Sequence, residues 1–288
     1  MDTPSYTKVR LVKPIKRTRK PQVPASFISS SEAIIASTLV FFLFLSVVIF
    51  MVSSMASFER VARPVDMKKA SKAEQDDFLK TQMFKYFDGM SFVKSQMPGV
   101  DFYHSTLGLN DSRLCSDGSR LAILVPGANS LPGIWSRWLS IHRSMEVGSM
   151  AHYVSRIRDK GIPTVVVQPT KRNDSYFSDV LSWVEAECPN AAVDIIAHSR
   201  GGLSVMRALG QLHPMRLDYI RTVSLLDSVH DEEPELDRDW LHSTILHWVA
   251  DSGIVEPKDG DAVKIFSAGT DRHEETPWIA MEAVLARL

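Results

Sequence analysis

From about residue 100 onward, short apolar runs alternate with stretches of helical spacing, and no other pattern in the chain limits its fold so tightly. The runs at 121–125 (LAILV), 163–168 (PTVVVQ), 193–197, 222–226 and 263–267 are too short for buried helices. They lack the strict polar–apolar alternation of a half-exposed strand, so they read as strands covered on both faces. Between them, 149–160, 176–188, 200–212, 236–249 and 277–288 carry apolar residues at helical spacing. This order predicts an α/β fold, a mainly parallel sheet with helices on both faces. Ligands of such sheets bind beyond the carboxyl ends of the strands, which directs attention to the residues after each run.

After the third run stands Ala197-His198-Ser199-Arg200-Gly201-Gly202. A serine on a sharp strand-to-helix turn requires small residues two positions to either side, and Ala197 and Gly201 meet that need. The first run ends in Pro126-Gly127-Ala128, where a loop amide is available to an oxyanion. The backbone amides of Ala128 and Arg200 are therefore the expected oxyanion donors. A serine nucleophile needs a histidine base and an acid to orient it, in the order serine, acid, histidine. The fourth run delivers Asp227, and the last delivers Ala268-Gly269-Thr270-Asp271-Arg272-His273. His273 is the expected base and Asp227 the expected acid, with Asp271 and His230 as alternatives for acid and base. By alternation along its strand, His198 faces away from the site and reads as structural. The acidic group around His230 (Asp227, Asp231, Glu232, Glu233) has no zinc-binding spacing and reads as a surface loop, so neither metal nor cofactor is expected.

Three of these pieces together resemble the Argonaute-binding-protein-two domain and, within it, the animal co-transcriptional regulator family of α/β-hydrolase-like proteins. They are Ala197-His198-Ser199 with Gly201-Gly202-Leu203, Asp227-Ser228-Val229-His230, and the run from Ser267 to Glu274. The resemblance covers a little over half the chain. It implies an α/β-hydrolase fold, a serine that looks like a nucleophile, and links to Argonaute, chromatin and RNA processing. The chain departs from the family at Arg200, where animal members carry an aromatic residue, and in its amino-terminal segment.

That segment runs apolar from 33 to 52 without a charge, long enough as a helix to cross the hydrocarbon core. The expected organisation is a basic cytosolic tail (1–32), a transmembrane helix (33–55), a stalk with linker helices (56–98) and the α/β-hydrolase-like domain (99–288). Cleavage as a signal peptide near Ala56 is the rival reading. Residues 1–58 hold seven Lys/Arg and two acids, and the remainder carries a net charge of −6. The positive-inside rule then puts the domain in the lumen or outside the cell. Sequons at Asn110 and Asn173 agree with that side. The acidic balance of the domain argues against direct nucleic-acid binding. Two cysteines, Cys115 and Cys188, allow one bridge in an oxidising compartment or two buried thiols.

Two functions follow. One is a membrane-anchored serine hydrolase of an ester, thioester or amide, with the bilayer and a small acyl substrate as partners. The other is a non-catalytic module that binds a protein partner and keeps the serine turn as part of its fold. Between Asp227 and the last strand, the segment with Trp240, Leu241, Ile245 and Trp248 is the material available for a lid or acyl pocket.

Overall fold

A computed structural model of the protein describes residues 67–97, 100–105, 114–115, 119–169, 176–229, 236–253 and 263–288. The basic tail, the apolar segment 33–55, both sequons and His230 lie outside the described residues. Among the described residues, no helix is long and apolar enough to cross a membrane.

The strands are β1 (Phe92–Met97), β2 (Val100–Ser105), β3 (Arg120–Val125), β4 (Thr164–Pro169), β5 (Ala192–His198), β6 (Ile220–Leu226), β7 (Ile245–Val249) and β8 (Lys264–Ser267). They form one sheet in the order β1-β2-β4-β3-β5-β6-β7-β8. The six strands from β3 to β8 run parallel, and β1 and β2 continue the sheet antiparallel at one edge. The order, the reversed β2 and the sharp turn after β5 make this an α/β-hydrolase-like mixed sheet.

Both faces are dry. Leu121, Ile123 and Val125 of β3 enter one apolar core, and Ala122 and Leu124 of the same strand enter the other. This is the two-residue period of a strand buried on both sides, and it explains the unbroken LAILV run. The helices in chain order are α1 (Lys72–Gly89), α2 (Arg137–His142), α3 (Met145–Gly148), α4 (Ala151–Asp159), α5 (Tyr176–Glu187), α6 (Arg200–Gln211), α7 (Arg238–Thr244), α8 (Thr276–Ile279) and α9 (Met281–Leu285). Residues of α5, α6 and α7 fill the first core; residues of α1, α4 and α9 fill the second.

The structure departs from the sequence expectations in several places. Residues 72–97, read as a stalk with linker helices, hold the helix α1 and also the strand β1, which joins the sheet. Ser71 and Glu74 cap α1 reciprocally, and Leu79, Met83 and Phe87 of its inner face are buried. Burying each such side chain stabilises by about 1.5–3 kcal/mol, which anchors α1 to the sheet. The helix expected through residue 249 stops at Thr244, and Ile245–Val249 pairs between β6 and β8 instead. Leu241 and Ile245 are buried in the first core and Trp248 in the second. The closing helix breaks into α8 and α9.

Cys115 and Cys188 form a disulfide, with their Cα atoms 5.8 Å apart and 73 residues between them in sequence. It ties the chain just before β3 to the end of α5. At the amino-terminal edge of the sheet, the fully buried Asp194 of β5 accepts from Arg120 (2.9 Å), Arg221 (2.7 Å) and Thr222 (2.7 Å). The buried carboxylate is thus fully paired, as its burial demands.

Candidate active site

At the opposite, carboxyl-terminal edge of the sheet, β5 ends at His198 and α6 begins at Arg200, leaving Ser199 alone to reverse the chain. It does so with φ +55° and ψ −131°, a conformation that disfavours a side chain. Four hydrogen bonds hold it there. Its N–H donates to the Leu226 carbonyl (3.1 Å), and its carbonyl accepts from the Gly202 N–H (3.1 Å), the Val229 N–H (3.1 Å) and the Ser228 hydroxyl (3.3 Å). The small residues are required by contact. A Cβ on Gly201 would collide with the carbonyl oxygens of Val125 and Pro126, and one on Gly202 with the Ser228 side chain. Gly127 faces the serine itself, since a Cβ there would lie 3.2 Å from the Ser199 Cβ and 3.5 Å from its Oγ. The loop after β3 therefore lies against the serine at Gly127. Arg200 is the first residue of α6, where helix N–H groups favour negative charge.

Asp227 leaves β6 with φ +42°. Its N–H donates to the Trp248 carbonyl (2.6 Å), and its Oδ1 accepts from the Ala250 N–H (2.9 Å). Oδ2 is left for His273 Nδ1, at 2.6 Å. Burial pushes the Asp227 carboxyl up, but the Ala250 amide and the His273 bond outweigh it and hold the group below the ordinary carboxylate value. An ionised carboxylate only accepts, so Nδ1 carries the imidazole proton and Nε2 is the basic nitrogen.

The loop bearing His273 is clamped on both sides. Asp271, the alternative acid, turns away: its oxygens accept from the Ser252 N–H (2.8 Å) and hydroxyl (2.9 Å), which leaves His273 to Asp227. Arg272 is paired with Glu274 (2.8 Å) and Glu275 (2.9 Å) and lies over the Trp138 ring, 5.0 Å from its centre.

The structure thus brings Asp227 and His273 together and sets Ser199 in the expected turn. His198 does not keep the position expected of it. Its ring stacks on that of His273, with centroids 4.7 Å apart and planes 28° apart, and its Nε2 lies 3.2 Å from the His273 carbonyl. Strand alternation missed this because His198 is the last residue of β5, where the returning His273 loop crosses the strand end. Ser228 was also missed; the only signal for it was Gly202, whose absent side chain gives it room. Among the described residues, no group of His, Cys, Asp and Glu could hold a metal ion.

No protein-family model matches the chain. Among curated proteins it is 32% identical over 241 residues to the mouse cotranscriptional regulator ARB2A, covering 57% of each chain. It is 32% identical over 137 residues to the human protein of the same name, covering 44% of this chain and 32% of that one. A Caenorhabditis elegans FAM172 family protein homolog is 26% identical over 188 residues, covering 58% of this chain and 59% of that one. The chain therefore spans about half the length, or less, of the curated relatives it matches. Among solved structures it is similar to a dienelactone hydrolase from Anabaena variabilis (TM-score 0.41, 12% identity, covering 68% of this chain and 94% of that one). It is also similar to a deformylase from Pseudomonas putida (TM-score 0.40, 10% identity, covering 68% of this chain and 99% of that one).

Proposed function

We propose that this chain, whose curated homologues are ARB2A and FAM172 family proteins, is a membrane-anchored serine hydrolase of an ester, thioester or amide. The observation that carries the reading is the Asp227–His273 bond at the strand edge where Ser199 is held in a strained turn. A module that only maintained its fold would need neither the pair nor the strain.

Each group has one task. The Ser199 hydroxyl attacks the substrate carbonyl carbon while His273 Nε2 takes its proton. Asp227 keeps the imidazole in the Nδ1–H form and balances the charge it gains. The developing oxyanion meets the backbone amides of Ala128 and Arg200. The tetrahedral intermediate collapses as His273 returns the proton to the departing alcohol, thiol or amine. Water then repeats the sequence on the acyl-serine, releasing the acid and restoring the hydroxyl. The test is reaction of the detergent-solubilised full chain with an alkyl fluorophosphonate, which forms a phosphorus–oxygen bond to serine and expels fluoride. Labelling that requires Ser199 supports the reading; labelling undiminished in Ser199→Ala ends it.

The segment 33–55 anchors the chain, with the tail 1–32 cytosolic and the domain lumenal or extracellular. The excess of basic residues before the segment supports this orientation. The Cys115–Cys188 disulfide supports it independently, because such bridges persist in oxidising compartments. Protease treatment of intact microsomes should spare the domain until detergent is added.

A second reading has one observation behind it: the relatives carry the name of cotranscriptional regulators. On that reading the domain binds a protein partner and does no chemistry. A folded protein inert to the fluorophosphonate would favour it.

A further inference from the structure

We infer that His198 is a positioning residue for the base: by donating to the His273 carbonyl and lying flat against the His273 ring, it fixes the imidazole relative to Ser199. The inference rests on the hydrolase reading for its consequence, though its geometry stands independently.

His198 is 3% exposed, yet it is a poor choice as a mere core residue. Its Nε2 faces a carbonyl oxygen at 3.2 Å, so Nε2 must carry the ring proton. Its Nδ1 is then a buried lone pair, with no hydrogen-bond partner among the described residues. An apolar residue would fill the space without that cost. What an apolar residue would not supply is the bond to His273.

The His273 ring needs such support. Its Nδ1 is held by one carboxylate oxygen, and a single bond leaves the ring free to swing about the Nδ1–Oδ2 line. The His198 ring, 4.7 Å away and tilted by 28°, closes one side of that swing. Trp135 meets His198 edge-on, with centroids 6.1 Å apart, and backs it from its own side. The bond to the His273 carbonyl fixes the backbone that carries the ring. His198 also precedes Ser199 directly, so a single residue sets both the height of the serine turn and the place of the base. A shift of the base by about an ångström is enough to cost on the order of a hundredfold in rate. Burial and the neighbouring His273 keep the His198 ring neutral, so it adds no repulsion when His273 takes up its proton.

The experiment uses the full chain, its His198→Phe variant, which keeps a flat ring and deletes the donor, and His198→Gln, which keeps a donor. Proton and nitrogen NMR read the His273 Nδ1–H resonance, shifted far downfield by a short bond to a carboxylate, and the tautomer of His198. Fluorophosphonate inactivation reads the Ser199 rate. We expect a downfield resonance and a neutral Nε2–H His198 in the wild type. In His198→Phe the resonance should broaden away and inactivation should slow by roughly ten- to a hundredfold, with His198→Gln recovering the larger part of both. A folded His198→Phe protein with the resonance and rate of the wild type overturns the inference. So does a wild type in which His198 is charged or protonated on Nδ1, or in which the downfield resonance is absent. Should His198→Phe not fold, the wild-type tautomer decides. If the wild type does not react with the fluorophosphonate, the hydrolase reading falls, and the resonance in the two variants decides the positioning role alone.

Discussion

The Asp227 carboxylate and the His273 imidazole meet at 2.6 Å across 46 residues of chain, and each is fixed by a different neighbour. Ala250 occupies the second oxygen of Asp227, so His273 has one place to bind. His198 bonds to the His273 carbonyl. The carboxylate is thus bonded from the end of β7, and the backbone that carries the imidazole from the end of β5.

Asp227→Asn should therefore remove the acceptor that selects the Nδ1–H form of His273. The expected loss in fluorophosphonate inactivation rate is about a thousandfold or more. Asp271→Asn, whose side chain serves Ser252, should keep the wild-type rate. Equal losses in the two variants would contradict the assignment of the acid.

Ser199 and His273 should act as a unit. Ser199→Ala and His273→Ala are each expected to remove nearly all turnover of an activated ester, and the double variant should lose little beyond either. Rate constants for the three proteins give the answer, and additive losses would indicate binding roles.

Much of this site was legible in the chain. Ala197, Gly201 and Gly202 announced the turn because backbone and side-chain contacts leave no room for a Cβ at 201 or 202. Asp227 and His273 stood out because both follow short apolar runs that read as strands, whose ends share one edge; β6 is mostly buried, whereas β8, at the edge of the sheet, is only half-buried. What stayed hidden had no local signal. FVKSQM of β1 is largely exposed and has no apolar run, so only its pairing with β2 makes it a strand. ILHWV of β7 continued the helical spacing of α7, and its place between β6 and β8 overrode that pattern. The stacking of His198 on His273 joins two strand ends distant in sequence, which no alternation rule anticipates.

Stability should fall in acid in two stages. Burial and then the charge of His273 press the His198 imidazole down to about 4 from an ordinary 6.5, with His273 and the carboxylates of Asp227 and Glu274 around it. As pH falls below 6.5, the unfolded chain takes up a proton that the folded chain refuses until about 4. The stabilisation is present above that window and lost through it, on the order of 3 kcal/mol. Asp227 is held below its ordinary 3.8, so its contribution is lost only at still lower pH. Denaturant titrations at about pH 7, 5.5 and 4 should show the upper stage in the wild type and not in His198→Phe.

Breaking the Cys115–Cys188 bridge should cost about 4 kcal/mol, since it closes a loop of 73 residues. The pairs Cys115→Ser and Cys188→Ser should show equal drops in melting temperature, and a reductant should lower the wild type to the same level. A wild type unmoved by reductant would mean that the bridge adds nothing to stability.

Of the five described residues other than glycine with positive φ, Asn129, Ser199 and Asp227 surround the site. A glycine at position 199 would adopt the same turn without strain, and relief of such a conformation is worth about 1–3 kcal/mol. A lineage with no use for the hydroxyl would therefore be drawn by stability alone towards glycine at this position. Serine at 199 is thus held in a backbone conformation that glycine would occupy at lower cost, so Ser199→Gly should gain in stability whatever it loses in chemistry.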